Sequence, residues 1–328
     1  MRVLHTLLLG CLGAAALLSS AAAATLVPVP NVPNSKITST FAINDNNLVA
    51  GSFIGKDGLE HAFFGGLDGS YTTFDGGPGG TEARGINNAG YISGFSNSQS
   101  GVTSDQEMFI RKPSGKLLAV AGYSGRAQGI NNTNHFAGTF WDFTDFEAVA
   151  FVGHHAEFKH EVRIPSVHQA SSGEGISDNG DVVGSFFRPP DHGFIVSNHT
   201  LTIVDYPSLH SAGTTLEGIN TSGQAVGQWF GNKGRLRSFL LDVATNTFTD
   251  IEVPGAKKVQ AWAINNNGAV AVSTNIGSFI WCANDTSCPA GGKEVKAAQH
   301  VAAKPFPHYA CARTCEIPAA DIKRHHHS

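Results

Sequence analysis

Short apolar runs rich in Val, Ile, Phe and Thr recur along the chain, separated by clusters of Asn, Asp, Gly and Ser. Runs this short, bounded by turn residues and without a 3.6-residue period, predict strands rather than helices. The pattern also repeats. Ala42-Ile43-Asn44-Asp45-Asn46 returns as Gly85-Ile86-Asn87-Asn88, Gly129-Ile130-Asn131-Asn132, Gly175-Ile176-Ser177-Asp178, Gly218-Ile219-Asn220-Thr221 and Ala263-Ile264-Asn265-Asn266. The aligned isoleucines at 43, 86, 130, 176, 219 and 264 fix six units of nearly constant length.

Eight residues after the isoleucine stands a glycine, at 51, 94, 138, 184 and 227, replaced in the sixth unit by Val272. An apolar run centred on Phe63, Phe109, Phe151, Phe194, Phe239 or Phe279 follows, then a turn and a further β-rich run. Each unit therefore predicts four strands, the first pair joined by an Asn/Gly turn that tolerates positive φ. Four strands in about 44 residues is the period of a propeller blade. The expected fold is all-β, a six-bladed β-propeller of four-stranded blades; an open β-repeat solenoid is the alternative. Leu26-Val27-Pro28-Val29-Pro30 precedes the first unit as an unpartnered fourth strand. Pairing it with the sixth unit would close a ring and remove the exposed sheet edges of an open stack.

His61-Ala62-Phe63, its near copy His192-Gly193-Phe194 and the Gly-Ile-Asn-Asn-x-Gly segments resemble the HAF-type repeat of exported bacterial extracellular proteins, over roughly residues 26 to 282. The resemblance implies an extracellular setting and a repeat architecture, and no particular reaction.

Composition agrees with many strands and turns: 38 Gly, 14 Pro and only 15% charged residues. Met1-Arg2, the apolar stretch from Leu7 to Leu18 and the small residues Ser19 to Ala24 read as a signal peptide over 1–24, cut near Ala23 or Ala24. The organisation predicted is leader 1–24, propeller 25–290 and a partly disordered tail 291–328. Export points to a secreted or periplasmic location, and no later run is long enough to span a membrane. The net charge of −4 and the scatter of Lys and Arg leave no footprint for nucleic acid. The expected form is a monomer. Cys282, Cys288, Cys311 and Cys315 fit two disulfides in an oxidising compartment, Cys282–Cys288 and Cys311–Cys315 being the simplest pairing; a four-cysteine zinc site is the rival.

No Gly-x-Ser-x-Gly elbow, His-Glu-x-x-His or Gly-rich phosphate loop occurs. His61 and His192 occupy equivalent places in units one and four, too far apart in a ring to share a metal. The register two residues before each isoleucine is more informative. It holds Phe41, Arg84, Gln128, Glu174, Glu217 and Trp262, and if the isoleucine strand is innermost these approach the central channel. Glu174 and Glu217, in neighbouring units, suit acid–base work or Ca²⁺. Phe53, Phe140, Phe186 and Trp229 follow the repeat glycine by two and offer either blade packing or a platform for sugars.

These features predict a non-catalytic binding propeller for a glycan, a peptide or a cell-surface protein, with Arg84, Gln128, Glu174, Glu217, Trp229 and Trp262 as its site. The alternative is a hydrolase or lyase with a carboxylate/Ca²⁺ site at the channel mouth.

Overall fold

The computed structural model describes residues 21–310 apart from 98–105, 163–169, 188, 209–210, 232–234, 285–287 and 302–305. Six units of antiparallel strands surround a common axis. Their inner strands are β2 (Ile37–Ile43), β6 (Thr81–Ile86), the second half of β9 (Leu117–Ile130), β13 (Ser171–Ile176), β17 (Thr214–Ile219) and β21 (Val259–Ile264). The second strands are β3 (Val49–Ile54), β7 (Ile92–Asn97), β10 (His135–Asp142), β14 (Val182–Phe186), β18 (Gln224–Gly231) and β22 (Ala269–Thr274). The third are β4 (Glu60–Gly65), β8 (Gln106–Arg111), β11 (Glu147–His154), β15 (His192–Ser197), β19 (Arg235–Asp242) and β23 (Gly277–Cys282). The outer positions are taken by β5 (Tyr71–Phe74), the first half of β9, β12 (Glu157–Glu161), β16 (Thr200–Val204), β20 (Thr247–Ile251) and β1 (Ala21–Val29). Neighbouring inner strands touch in order, and β21 returns to β2. The molecule is a β-propeller, with no helix among the described residues.

Two repeated features hold the blades. The glycine of the second strand faces the phenylalanine of the third, as in Gly94↔Phe109 and Gly184↔Phe194. A Cβ on Gly94 would overlap the Glu82 carbonyl and the Phe109 ring, so no larger residue fits. The ring it admits is buried in blades one to five, at roughly 2–3 kcal/mol of transfer free energy each. In blade six Val272 faces Phe279, which keeps part of its surface, and Trp281 is the fully buried ring there.

The second feature is a crown of amides. Asn44 donates from Nδ2 to the Asn87 carbonyl, Asn87 to Asn131, Asn131 to Ser177, Asn220 to Asn265, and Asn265 back to Asn44, at 2.9–3.1 Å. The Oδ1 of each of these asparagines also accepts two backbone N–H groups of its own turn, as Asn87 does from Ala89 and Tyr91. Beside this runs a second circle, in which Asn266 bonds both Asp45 of the adjacent blade and Asp178 two blades away. The asparagines thus do more than shape turns: they lace each blade to the next. With the six isoleucines they constrict this end of the channel to about 60 Å³.

The N-terminal strand closes the ring. Thr25–Val29 of β1 pairs with β23, Leu26 opposite Trp281, as the unpartnered fourth strand requires. Ala21–Ala24, assigned by sequence to the end of a leader, extend β1; the ladder from Thr25 onward stands without them. The segment beyond 290 is not wholly outside the propeller. Lys293–Val301 forms β24, which pairs with β1 and then with β20, strapping blades five and six together. His308–Ala310 forms β25 on the edge of β16. Unsatisfied outer edges of the sheet attracted these strands, despite an Ala- and Lys-rich sequence with little β-character. A disulfide joins Cys282 and Cys288, beside the Thr25 carbonyl. Cys311 and Cys315 lie outside the described residues.

Candidate functional site

The register two residues before each isoleucine is a β-bulge. In β2 the pairing with β3 skips Phe41, in β6 it skips Arg84, in β13 Glu174, in β17 Glu217 and in β21 Trp262. The pairing of β9 with β10 is irregular around Gln128 as well. A bulged residue leaves the ladder and its side chain is re-aimed. Here the new direction is the channel, because residues of four different blades meet: Arg84 donates from Nε to Gln128 Oε1 at 2.7 Å, and its guanidinium lies over the Phe41 ring at 4.5 Å and the Trp262 ring at 4.8 Å. Phe41 and Trp262 pack edge to face.

Five of the six predicted binding residues therefore converge on the axis: Arg84, Gln128, Glu174, Glu217 and Trp262. Trp229 does not. Its ring stacks on Tyr206 at 4.4 Å, in the core of blades four and five. Lying on the second strand, it alternates toward the neighbouring blade instead of the axis. Phe140 and Phe186, from the same row, are buried.

Four residues before the isoleucine comes a layer that follows from strand alternation but was not singled out: Glu82, Arg126, Ser172, Thr215 and Gln260. Glu82 accepts from Arg84 at 3.3 Å, Ser172 donates to Glu174, and Thr215 donates to Glu217 at 3.0 Å. Glu174 and Glu217 keep some surface open to the channel, yet protein surrounds them and water there is scarce. Burial pushes the Glu174 carboxyl upward against the pull of Ser172, Arg84 and Arg126. Burial first, and the charge of Glu174 second, push Glu217 to about 8, with Arg84 and Thr215 acting in the opposite sense. The site thus holds a pair of carboxyls raised above the usual carboxylate range, a guanidinium between two aromatic rings, and a buried Trp262 indole N–H without a partner among the described residues.

Among the described residues no group of three or more His, Cys, Asp or Glu side chains is arranged to hold a metal. Two carboxylates are fewer oxygen ligands than Ca²⁺ takes. The cations that face the pair are Arg84 and, on the side of Glu174, Arg126. The disulfide between Cys282 and Cys288 takes both thiols out of the four-cysteine zinc alternative. His61 and His192 share one arrangement: each hydrogen-bonds through Nδ1 to an aspartate at 2.7 Å, Asp75 or Asp205, and stacks on the phenylalanine across the ladder, Phe53 or Phe186.

The two ends of the channel differ. Inner strands begin, and second strands end, at the end opposite the asparagine crown. Every large apolar side chain exposed among the described residues lies at that end, in strand ends or the turns between them: Ile37, Leu59, Tyr123, Trp141, Phe143, Phe146, Phe187, Phe230 and Ile276. Phe146 is 84% exposed and Phe143 60%. The crown side instead carries a polar hollow of about 650 Å³ lined by Asn47, Ser222, Gln224, Asp242, Asn266 and Asn267 among others.

No family model and no curated protein matches the chain. Solved structures do. A streptogramin B lyase shares 10% identity over 79% of this chain and 97% of its own, with a TM-score of 0.44. The WD40 β-propeller domain of Doa1 shares 11% over 81% and 99%, with a TM-score of 0.42. A prolyl endopeptidase shares 9% over 86% of this chain but only 43% of its own length, with a TM-score of 0.48. At such identities the likeness is one of fold, and no residue role passes from those proteins to this one.

Proposed function

We propose that this protein is an exported, non-catalytic binding propeller of the HAF-repeat type that holds a peptide or protein partner on the face around the charged channel mouth. The observation that carries the reading is the confinement of the exposed large apolar side chains among the described residues to that face. A soluble surface scatters such residues singly; gathered on one side and rimmed by polar groups, they mark an interaction surface. The disulfide and the signal-like N-terminus support export. Screening wild type and a Trp141→Ala/Phe143→Ala/Phe146→Ala variant against peptide and glycan arrays tests the reading. Peptide hits lost in the variant, at unchanged melting temperature, are expected. Hits that survive it, or glycan hits alone, would refute a protein partner on this face.

A second reading, a hydrolase or lyase, is supported by the pairing of Glu217 with Glu174 at the channel, where burial raises both carboxyls, since a general acid works best with a pKa near the ambient pH. Loss of a hydrolytic or eliminative activity in Glu217→Gln with unchanged ligand affinity would establish it.

A further inference from the structure

The inner strands bring Glu82, Glu174 and Glu217 to the channel mouth, against Arg84 and Arg126. Neither arginine bonds the carboxyl pair of blades four and five. Arg84 is held by Gln128 and Glu82 and lies between the Phe41 and Trp262 rings. Arg126 donates from Nε to Gln106 Oε1 at 2.8 Å and lies over the Phe95 ring at 5.0 Å. The bulged residues of blades one, two, three and six are thus linked through Arg84, and Glu174 and Glu217 stand outside that group. Each is bonded only within its own strand, Glu174 Oε1 accepting from Ser172 and Glu217 Oε1 from Thr215. Neither Oε2 has a partner among the described residues. Burial raises both carboxyls, which favours a proton there over an unmatched negative charge. In the same register the Trp262 Nε1–H is buried with no acceptor among the described residues.

We infer that the channel mouth takes the basic side chain of a peptide, Lys or Arg, between Glu174 and Glu217. A cation there gives each free Oε2 a charge-assisted hydrogen bond and brings the mouth to three charges of each sign. A peptide carbonyl beside it supplies the acceptor that Trp262 lacks. An ammonium has three donors and imposes no fixed coordination, so two carboxylates can hold it where Ca²⁺ would need more oxygens. The inference rests on the proposed function and deepens it by naming the residue that the partner inserts at the axis, while the exposed aromatics hold the flanking peptide.

The test is calorimetric titration of the full chain with Nα-acetyl-lysine N-methylamide, its uncharged norleucine twin and n-butylammonium. Saturable binding of the lysine probe is expected, roughly tenfold tighter than either comparison compound. In Glu174→Gln/Glu217→Gln, which keeps side-chain shape and removes only the ionisable groups, it should be roughly tenfold weaker at an undiminished melting temperature. From pH 6 to pH 9 the lysine ammonium stays charged, so wild-type affinity should rise as the carboxyl pair yields its proton. Equal binding of the norleucine twin, an unchanged affinity in the double variant, or an affinity flat with pH would overturn the inference. So would n-butylammonium bound as tightly as the lysine probe, which would assign the pair to free amines. No saturable binding of the lysine probe, with array peptides still lost in the aromatic triple variant, would overturn the inference and leave the proposed function standing. Binding of the lysine probe with array peptides that survive the triple variant would do the reverse.

Discussion

The two ends of the channel are built from adjacent positions of one repeat, yet they follow opposite rules. At the crown end the same residue type recurs and both polar ends of its side chain are satisfied, by a neighbouring blade and by its own turn. At the mouth end the six positions of one register carry five residue types, and their charges and hydrogen bonds do not balance. Repetition serves closure, where each blade needs the same bond to the next. Variety marks the place where a bulge has freed the side chain from the ladder, so that the scaffold no longer dictates its identity.

The largest effect should come from breaking the crown. Asn265→Ala removes the bond that returns to Asn44 and strands the N–H groups of Asn267 and Ala269. A loss on the order of 3 kcal/mol is expected, read as a fall in the denaturant midpoint. A midpoint no lower than that of Gln128→Ala would erase the distinction between the two ends.

Next is the mouth, where replacing an ionisable carboxyl should help. The unfolded chain releases the Glu217 proton in the ordinary carboxylate range, whereas the folded protein holds it to about 8. The stability tied to this group is therefore complete at acid pH, declines as pH climbs from the carboxylate range to about 8, and is level beyond. Glu217→Gln, neutral throughout, should flatten that decline in melting temperature. An identical slope in the variant would show that burial does not govern this carboxyl.

A smaller gain tests the crown from the other side. Ser177 is the one member of the inner circle that is not asparagine; its hydroxyl bonds Asp181, and no side-chain amide reaches from it to the Asn220 carbonyl. Ser177→Asn should complete the circle and stabilise by about 1 kcal/mol. Destabilisation would mean that blade four needs the shorter side chain.

The smallest effect concerns the rim. Burial lowers the His61 pKa, but the hydrogen bonds to Asp75 and Asp57 outweigh it and leave it raised. Its contribution is present below the unfolded histidine value and lost as pH rises through the higher folded one. Asp75→Asn should remove about 0.5 kcal/mol at pH 6 and nothing at pH 9, by thermal melts. An equal loss at both would reveal a structural role for the aspartate.

How much was legible follows the same division. Ile86, Gly94 and Phe109 could be read because hydrophobic burial and close packing restrict them in every unit. Leu26–Pro30 could be read because a missing fourth strand is a deficit that a repeat exposes. The asparagines pointed only to turns, since lacing one blade to another is a property of the closed ring. Lys293–Val301 carried no strand signal because edge pairing, and not its side chains, holds it. Arg84, Gln128, Glu174, Glu217 and Trp262 were found by their shared spacing, but nothing local showed the bulge that turns them inward. Trp229 shared a spacing too, and its strand sent it elsewhere.

The pairing of β1 with β23 has a temporal consequence. A chain made from its N-terminus exposes β1 first, and its partner between Gly277 and Cys282 last. Until then five blades can form in order from neighbouring segments, while β1 waits as an apolar strand with a free edge. Joining the two ends of so long a loop is entropically slow, and contacts of this range set the pace of β-proteins. The final blade is thus the rate-setting one, and the interval before it forms is when the nascent protein is most exposed to mispairing with other chains.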